Sequence, residues 1–348
     1  MMPVLTVGHV ESLATDILVA AGALVEDARS VSNLLVKANL AGHDSHGVIR
    51  IIQYVKAIER GEIKPDAEIE VVRETCSTAL LNGNWGFGQV VAKRAMVTAI
   101  NKARESSVGA VSAFNLYHVG RLADYTEMAL HSDMIGIAMA NAIKSVAPYG
   151  GYERLLSTSP VSYAFPTSKE TPFVLDIATS VCAEGKVRVT LHKGEKLPEG
   201  CIVDGDGNPS NDPEDYYAGG ALLPLGGDFV GYKGFGLALA VEVMAGILSG
   251  AGCAYEPAKR GNSIFFEAID IRSFMHVEEF KRRVDDLIRT VKSSKLRPGW
   301  TEIFTPGEPE HRTEQKRLRE GIYVPERTWD EIINIAKELN VDLAVLEA

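Results

Sequence analysis

The spacing of apolar residues changes along the chain, and its first part reads as mostly helical. Residues 28–38 repeat their apolar positions every three or four residues and stop at Gly42, which predicts a helix. Residues 89–105 carry the same spacing. Between them, residues 71–81 predict a strand that enters a turn at 82–84. We therefore expect a mostly helical amino-terminal unit over residues 1–107.

From about residue 108 the pattern becomes one of short apolar or alternating runs bounded by Gly, Pro and Ser, which predicts a β-rich unit over residues 108–275. The predicted strands cover residues 108–114, 134–140, 161–165, 173–177, 187–191 and 263–269. Helices are predicted near 121–131 and 233–250. Because strands and helices do not alternate regularly, the pattern argues against a doubly wound parallel sheet.

The last part is helical again, with predicted helices at 277–293, 310–320 and 326–339. We expect these carboxy-terminal helices, within residues 276–348, to pack back on the amino-terminal unit. The predicted fold class is α+β, with a sheet domain flanked by helical units from both ends.

Charge and hydropathy exclude several classes of partner. The formal net charge is -10, so the chain repels nucleic acid and anionic lipid unless basic residues cluster locally. The most apolar stretch, residues 236–248, is too short to span a bilayer and contains Glu242. No secretion signal begins the sequence. We expect a cytoplasmic protein that binds neither nucleic acid nor membrane.

The usual signatures of nucleotide-binding enzymes are missing. Residues 231–236 have their glycines in the wrong order for Gly-x-Gly-x-x-Gly, and residues 84–88 lack the third glycine. Neither a phosphate-binding loop of the Walker type nor a Gly-x-Ser-x-Gly elbow is present. Motif scanning alone therefore indicates only an α+β protein of enzyme size.

The most informative stretch for chemistry runs from Gly42 to Tyr54. On a helix that begins near Ser45 as its cap, His46, Arg50 and Tyr54 would lie four residues apart on one stripe. An arginine there can bind a carboxylate with two hydrogen bonds, and a neutral histidine can pass a proton. The alternative is an ordinary polar helix face.

A metal site at the same place is disfavoured. His43, Asp44 and His46 could supply ligands, but no further His or Cys cluster in the sequence completes the set. We expect no metal.

Two further segments carry polar groups at the ends of predicted strands. His118 falls where a strand passes into a helix, a place where scaffolds often present catalytic groups. Asp176 ends another strand and is followed by Thr179 and Ser180, which could bind ribose hydroxyls or phosphate. Each has a simpler interpretation, a structural histidine and a capped turn.

Taken in order, these segments resemble the type-2 malate/L-lactate dehydrogenase family, and within it the hydroxycarboxylate dehydrogenase B type most nearly. The likeness rests above all on Asp44-Ser45-His46-Gly47 and on Asp176-Ile177-Ala178-Thr179-Ser180. It continues through residues 38–43, 87–90, 118–121, 146–148, 185–189, 192–194, 233–238, 242–250 and 306–308.

The resemblance implies a mainly antiparallel, non-Rossmann sheet domain that carries NAD or NADP, with NAD favoured. It also implies a homodimer with the active site near the subunit interface. The implied substrate-side residues are Ser45, Arg50 and Tyr54. The implied cofactor contacts are His46, Gly120, Arg121, Leu122, Val174, Leu175, Asp176, Ile177, Ala178, Tyr232, Lys233, Asn262, Gly307, Glu308, Pro309 and Glu310.

The implied reaction is hydride transfer between nicotinamide and a 2-hydroxy acid/2-oxo acid pair. A histidine can give and retake the proton, and we assign this to His118 with His46 as the rival. Arg50 would hold the substrate carboxylate. A cyclic imino acid reductase and a catalytically silent cofactor-binding homologue are the alternatives. The sequence leaves open which acid is used, the choice between NAD and NADP, and the stereochemistry.

At four places this sequence departs from the family's usual residues. Leu116, Ala142 and Ser159 stand where serine, serine and asparagine are common, and Tyr232 stands where a histidine often precedes Lys-Gly. These changes leave His46, Arg50 and His118 intact.

Overall fold

The structure, a computed structural model, describes residues 4–256 and 260–343. The strands are β1 (Val4–Leu5), β2 (Glu70–Glu74), β3 (Thr78–Gly86), β4 (Val108–Leu116), β5 (Met134–Asn141), β6 (Val161–Phe165), β7 (Phe173–Ile177), β8 (Ile202–Val203), β9 (Pro209–Ser210), β10 (Ala221–Leu222), β11 (Asn262–Asp270) and β12 (Ile322–Tyr323).

The α-helices are α1 (Val7–Ala20), α2 (Val25–Leu40), α3 (Arg50–Glu59), α4 (Gly88–Ser106), α5 (Ala123–Leu130), α6 (Glu184–Lys193), α7 (Pro213–Tyr217), α8 (Gly227–Val230), α9 (Tyr232–Val241), α10 (Val277–Lys292), α11 (Glu308–Glu320) and α12 (Glu326–Glu338). Short 3₁₀ turns lie at Asp44–His46 and Ile271–Ser273, and a π-helix continues α9 over Glu242–Ile247.

A seven-stranded sheet in the order β2-β3-β4-β11-β5-β6-β7 is the frame of the molecule. Among its described pairs, β3 and β4 run parallel and the others are antiparallel. The expected α+β class with a mainly antiparallel sheet is therefore confirmed. Small sheets of two and three strands, β1-β12 and β10-β8-β9, lie beside it.

The side chains of β11 show how the sheet is covered on both faces. Successive residues of a strand point to opposite faces. Phe266 accordingly packs in a cluster with Met96 of α4 and Tyr125 of α5, whereas Phe265 packs with Val241 at the end of α9 on the other face. The centre of the sheet is thus buried between α4 and α5 on one side and α9 with its π-helix on the other.

A separate core joins the first helices to the last. Leu13 and Ile17 of α1 and Ile51 of α3 are buried with Ile332 and Ile335 of α12. Helix α11 contacts α2, and α10 lies against the loop before β7, where Asp285 accepts backbone N–H groups. Residues from both ends of the chain therefore support the segment that carries His46 and Arg50.

The main sheet extends across the expected unit boundary at residue 107. Strands β2 and β3 and helix α4 precede that boundary, yet they belong to the sheet and its cover. Residues 71–81 are also not one strand: Thr75 accepts the backbone N–H of Thr78 and turns the chain between β2 and β3. The predicted turn at 82–84 is wrong, because β3 continues to Gly86 with a bulge in its pairing.

The predicted strand at 187–191 is wrong, because these residues lie in α6. The alternation of valine with polar residues looks like a strand, but Val187 is buried and Val189 is 49% exposed. An ion pair between Glu184 and Arg188, four residues apart, and a left-handed Gly194 at the carboxyl end favour the helix instead.

The predicted continuous helix from Ser45 is also wrong. Residues Asp44–His46 form a 3₁₀ turn, Gly47 is extended, and α3 begins only at Arg50. The cause is the side chain of Asn39, whose Oδ1 accepts the N–H of Val48 at 2.8 Å. A Cβ at position 47 would lie 2.2 Å from that oxygen, so Asn39 occupies the space that a side chain there would need.

Gly88, the first residue of α4, sets how closely this helix approaches the end of β4. A Cβ there would lie 2.3 Å from the carbonyl oxygen of Tyr117 and 2.4 Å from that of His118. Because both contacts are backbone, we expect Gly88→Ala to lower the free energy of unfolding by about 1–3 kcal/mol. Denaturant titration measures this change.

The matched control is Gly8→Ala in the first turn of α1, where a new Cβ meets nothing within 4 Å. This variant should keep wild-type stability or raise it by up to about 1 kcal/mol, because alanine favours a helix. An equal effect of the two substitutions would contradict the account of the α4 contact.

Candidate active site

His118 follows the end of β4 and is held in place through its neighbours. The backbone N–H of Val119 donates to Asn262 Oδ1 at 2.9 Å, and Asn262 Nδ2 donates to the carbonyl of Asn141 at 2.9 Å. The hydroxyl of Tyr125 donates to the carbonyl of Val119. The loop after β4 is therefore tied to β11, β5 and α5, and the side chain of Asn262 is used for this purpose.

Side chains from two other segments, His46 and Tyr54, meet at His118. Its Nε2 lies 3.3 Å from His46 Nδ1, and the two rings are nearly parallel, with an angle of 4° between their planes. The hydroxyl of Tyr54 lies 2.8 Å from His118 Nδ1. Although the 3₁₀ turn and α3 do not form one helix, the fold still brings His46, Tyr54 and His118 into one cluster.

The cluster continues to Gln89 on α4. Gln89 Nε2 lies 2.5 Å from the Tyr54 hydroxyl oxygen, and the residue is only 1% exposed. Its other amide atom, Oε1, is buried and has no hydrogen-bond partner among the described residues. The motif at 87–90 drew attention to this segment, but a single glutamine gives no sequence signal for such a contact.

Arg50 is positioned by two neighbours at the start of α3. Its Nε donates to the carbonyl of Ser45 at 2.7 Å, and one terminal nitrogen donates to Gln53 Oε1 at 2.5 Å. Gln53 Nε2 in turn donates to the hydroxyl of Tyr117 at 3.2 Å. Ser45 therefore acts through its backbone carbonyl, and the expected cap by its side chain is absent from the structure at Asp44–His46 and at α3.

Burial dominates the electrostatics of this cluster. Burial, with the positive charge of Arg50 as the next cause, lowers the pKa of His46 to about 3. Burial also lowers the pKa of His118 well below its usual value, again with Arg50 as the next cause. The pKa of the Tyr54 hydroxyl is raised by burial. At neutral pH the cluster thus holds two neutral imidazoles, a neutral phenol and the Arg50 cation.

Helix α6 lies directly against the Ser45 side of the cluster. A Cβ at Gly185 would be 3.0 Å from the Cβ of Ser45. Arg188 comes three residues after Gly185 and therefore lies on the same face of α6. It pairs with Glu184 at 2.5 Å, and Glu184 also accepts a hydrogen bond from the Tyr217 hydroxyl at 2.8 Å. Sequence reasoning missed Arg188, because residues 187–191 were read as a strand.

A cavity of about 350 Å³ lies beside the cluster, between α2, α5, β7, α10 and α11. Five of the expected cofactor residues line it: Arg121, Val174, Asp176, Gly307 and Glu310. His43, three residues before His46, also lines it, and its Nε2 lies 3.4 Å from Glu310 Oε1. The cavity therefore begins close to the histidine pair.

The other expected cofactor residues do not line this cavity. Leu122 is buried between the sheet and its helices, Ile177 packs on the opposite face of β7, and Glu308 pairs with Lys292 at 2.7 Å. Tyr232 and Lys233 are exposed at the start of α9. The remaining residues outside its lining are His46, Gly120, Leu175, Ala178, Asn262 and Pro309.

Two buried polar atoms beside the cavity lack hydrogen bonds. Arg121 Nε and Asp124 Oδ1 have no hydrogen-bond partner among the described residues, although Asp124 Oδ1 is 3.4 Å from a terminal nitrogen of Arg121. Gly120 has a φ of +78° and open space at its missing Cβ. Arg121 lines the cavity, and because unpaired buried polar groups are costly, its Nε fits a polar ligand there; Asp124 does not line the cavity, and its Oδ1 also lies 3.5 Å from Lys37 Nζ.

The described part of the chain contains no group of three or more His, Cys, Asp or Glu side chains arranged to hold a metal ion. Within residues 4–256 and 260–343, no helix combines the length and apolarity needed to cross a bilayer.

Comparison with known proteins gives consistent likenesses over almost the whole chain. The family profile described as malate/L-lactate dehydrogenase matches residues 5–333. A malate dehydrogenase of Pyrococcus horikoshii is 41% identical over 95% of this chain and 94% of its own length. A solved structure of malate dehydrogenase from the same organism superposes with a TM-score of 0.91 at 38% identity, covering 98% of this chain and 97% of the other.

Two further relatives carry different names. An L-sulfolactate dehydrogenase of Methanocaldococcus jannaschii is 39% identical, with 96% of each chain covered. A hydroxycarboxylate dehydrogenase B of Escherichia coli is 30% identical over 94% of this chain and 92% of its own length. The identity to this last type is lower than to the malate and sulfolactate dehydrogenases.

The depressed pKa of His46 makes stability depend on pH. In the unfolded chain His46 becomes protonated near pH 6.5, whereas in the folded chain it stays neutral down to about pH 3. The stability that neutral His46 contributes is therefore present above pH 6.5 and is lost as the pH falls toward 3. From pH 8 to pH 5, we expect the free energy of unfolding to fall by about 2 kcal/mol through this residue.

Denaturant unfolding of the wild type and of His46→Gln across this range measures the dependence. The variant should show a shallower decline, and His192→Gln, at an exposed position of α6, should match the wild type. An unchanged slope in His46→Gln would contradict the burial of a neutral imidazole.

Proposed function

The chain belongs to the malate/L-lactate dehydrogenase family, and on that premise we propose that it transfers a hydride between NAD(P) and a 2-hydroxy acid/2-oxo acid pair. It is an oxidoreductase that acts on hydroxy acids, as its relatives are named. The observation that carries the proposal is the cluster of His118, His46 and Tyr54 beside the fixed cation of Arg50.

His118 is the proposed proton donor and acceptor. The Tyr54 hydroxyl lies 2.8 Å from His118 Nδ1, so the other ring nitrogen of His118, Nε2, faces the space shared with His46. The 3.3 Å contact to His46 is long for a hydrogen bond, and the oxygen of a bound substrate can replace it. In this role charged His118 gives its Nε2 proton to the oxygen in reduction, which leaves a neutral ring with its hydrogen on Nδ1, and that ring takes the proton back at Nε2 in oxidation. His46 stays neutral and lies against the same oxygen.

Arg50 supplies the counter-charge for the substrate carboxylate. Its guanidinium is fixed from one side by Ser45 and Gln53, which lowers the entropic cost of binding. A guanidinium and a carboxylate can form two parallel hydrogen bonds. This arrangement supports an acid substrate whose carbon next to the carboxylate faces His118.

The residues beside the cavity fit a nicotinamide dinucleotide. Its volume of about 350 Å³ lies within the common range of ligand pockets, about 300–1,000 Å³, and Arg121 offers a cation to phosphate. When bound, the nicotinamide donates or accepts the hydride. Arg121, Val174, Asp176, Gly307 and Glu310 would hold the dinucleotide on a mainly antiparallel sheet, without a Rossmann fold.

NAD is the favoured form of the cofactor. Carboxylates of Asp176, Glu310, Glu127 and Glu314 line the cavity, and a carboxylate suits ribose hydroxyls but repels a 2′-phosphate. The lysine Lys37 is already paired with Glu127 at 2.6 Å. A higher kcat/KM with NAD than with NADP would support this choice, and the reverse ratio would refute it.

A second copy of the chain is the proposed cover for the outer face of α8, α9 and the π-helix. Ala238, Val241 and Ala245 of this segment point into the protein. The outward face is apolar and consists of Phe229, Tyr232, Leu237, Leu239, Val243, Ile247 and Leu248. Exposed apolar patches of this kind mark interaction sites. Light scattering should give twice the 37.7 kDa of one chain, and a monomer would refute the homodimer.

This dimer also accounts for Tyr232 and Lys233, which do not line the cavity of their own chain. We propose that they reach the cofactor at the subunit interface. The cytoplasmic location and the absence of nucleic acid binding stay predictions from the sequence.

We also propose that the substrate carries a second acidic group, as malate and sulfolactate do in the names of two relatives. Arg188 supports this, because α6 packs on Ser45 and the charge of Arg188 acts on Arg50. Arg188 pairs with Glu184 through Nε and one terminal nitrogen, so its other terminal nitrogen would bind the second anion at the far end of the substrate.

The main test is reduction of 2-oxo acids, followed by the loss of reduced-nicotinamide absorbance. We expect His118→Ala to lower kcat by about 10²–10⁴-fold, because the proton donor is lost. His46→Ala should lower it less. Arg50→Lys should mainly raise KM for the acid, because a single ammonium replaces the two-pronged contact.

If activity survives in His118→Ala but is lost in His46→Ala, then His46 and not His118 is the proton donor. A panel that adds cyclic ketimines to the oxo acids separates the imino acid reductase alternative, and cofactor binding without turnover on the whole panel would favour the silent homologue.

Arg188→Gln tests the second acidic group. We expect a rise in KM of about tenfold for an oxo acid with two acidic groups and little change for pyruvate, because the lost contact is worth about 1.4 kcal/mol. Lys186→Gln, at an exposed position of the same helix, is the control. An equal rise in KM for both acids would contradict the proposal and show that Arg188 only stabilises α6.

A further inference from the structure

Gln89 is the last residue in a chain of hydrogen bonds that leads from His118 through Tyr54, and one of its two amide atoms has no partner among the described residues. Its Nε2 is 2.5 Å from the Tyr54 hydroxyl, and that hydroxyl is 2.8 Å from His118 Nδ1. Gln89 Oε1 is buried without a hydrogen-bond partner among the described residues. A buried amide with one unused end is costly, and its retention here calls for a physical reason.

With Gln89 Nε2 directed at Tyr54, as in the structure, the hydrogen atoms along this line can be assigned for the neutral His118 of the site without substrate. Gln89 Nε2 is a donor only, so the Tyr54 oxygen accepts from it. The Tyr54 hydroxyl then gives its own hydrogen to His118 Nδ1, which must be unprotonated. The remaining proton of the neutral imidazole is therefore on Nε2, which faces His46 and the proposed substrate position.

Protonated His118 requires the opposite order. Its Nδ1 then bears a hydrogen and donates to the Tyr54 oxygen. The Tyr54 hydroxyl must find another acceptor, and a primary amide offers one if it turns by 180° to present Oε1. The atom without a partner in the neutral state is thus the acceptor that the charged state needs.

We infer that Gln89 is a positioning residue that lets Tyr54 serve His118 in both protonation states by turning its side-chain amide. The inference rests on the proposed role of His118 as proton donor. Gln89 itself touches neither substrate nor cofactor and acts only through Tyr54.

The other groups around His118 do not replace this function. His46 reaches it from the 3₁₀ turn, Arg50 and Tyr54 from α3, and Tyr117 lies beside Tyr54 at the end of β4. Arg50 and His46 both disfavour the charged imidazole. Of the described side chains in contact with His118, Tyr54 is therefore the one that can support the charged form, and α4 supplies Gln89 for it.

The experiment compares the pH dependence of 2-oxo acid reduction in the wild type, Gln89→Met and Gln89→Glu. Methionine has a similar size but is only a weak acceptor for the Tyr54 hydrogen, so the pH at which kcat/KM declines should fall by about one unit. Glutamate, ionised or protonated, can accept the Tyr54 hydrogen, so Gln89→Glu should leave the pH at which kcat/KM declines unchanged or raise it. Gln315→Glu, exposed on α11, is the control for the same change of side chain.

Tyr54→Phe provides the second arm. Since Gln89 acts only through Tyr54, Gln89→Met should cause no further shift in the Tyr54→Phe background. An unchanged pH dependence in Gln89→Met, or an equal shift in both backgrounds, would overturn the inference.

A measurement without turnover separates this inference from the proposed function. ¹⁵N chemical shifts of the neutral His118 ring should place its proton on Nε2 in the wild type and show a mixture of tautomers in Tyr54→Phe. A proton on Nδ1 in the wild type overturns the inference. If His118→Ala retains activity while the ¹⁵N result holds, the proposed proton donor is wrong but the role of Gln89 stands.

Discussion

The hydrogen bond between the Tyr54 hydroxyl and His118 Nδ1 is the contact on which the account depends. It joins α3, which also bears Arg50, to the loop after β4, and these segments come from the helical core and the sheet. Gly88 lets α4 approach that loop, and Asn262 fixes it from β11. Together with the Gln53–Tyr117 hydrogen bond, this contact holds the segments that carry Arg50 and His118 against each other.

Burial gives the cluster its chemical character. Because burial lowers the pKa of both histidines, the site without substrate avoids a second positive charge beside Arg50. A substrate carboxylate paired with Arg50 would offset that charge and make protonation of His118 less costly. In the proposed function, binding of the acid and protonation of His118 would thus be coupled through one electrostatic environment, and the inferred hydrogen bond from Tyr54 would place the proton of neutral His118 on Nε2.

The sequence predicted the class of fold and the central residues, but not how the fold brings the residues together. Periodicity found the antiparallel strands of the sheet, and the spacing of His46, Arg50 and Tyr54 indicated a shared face. The continuous helix was wrong because Asn39, distant in the pattern, interrupts it at Gly47. Gln89 was missed because its significance lies in a contact with Tyr54, far away in sequence, and Arg188 was missed because residues 187–191 looked like a strand and not like α6.

The most direct test of the account is a crystal structure of the protein with a nicotinamide dinucleotide and an unreactive 2-oxo acid analogue. The account predicts the oxygen of the analogue within about 3.2 Å of His118 Nε2 and its carboxylate on the Arg50 guanidinium, with the nicotinamide ring facing the analogue. An analogue bound away from both side chains, or a dinucleotide outside the cavity lined by Arg121 and Asp176, would contradict it.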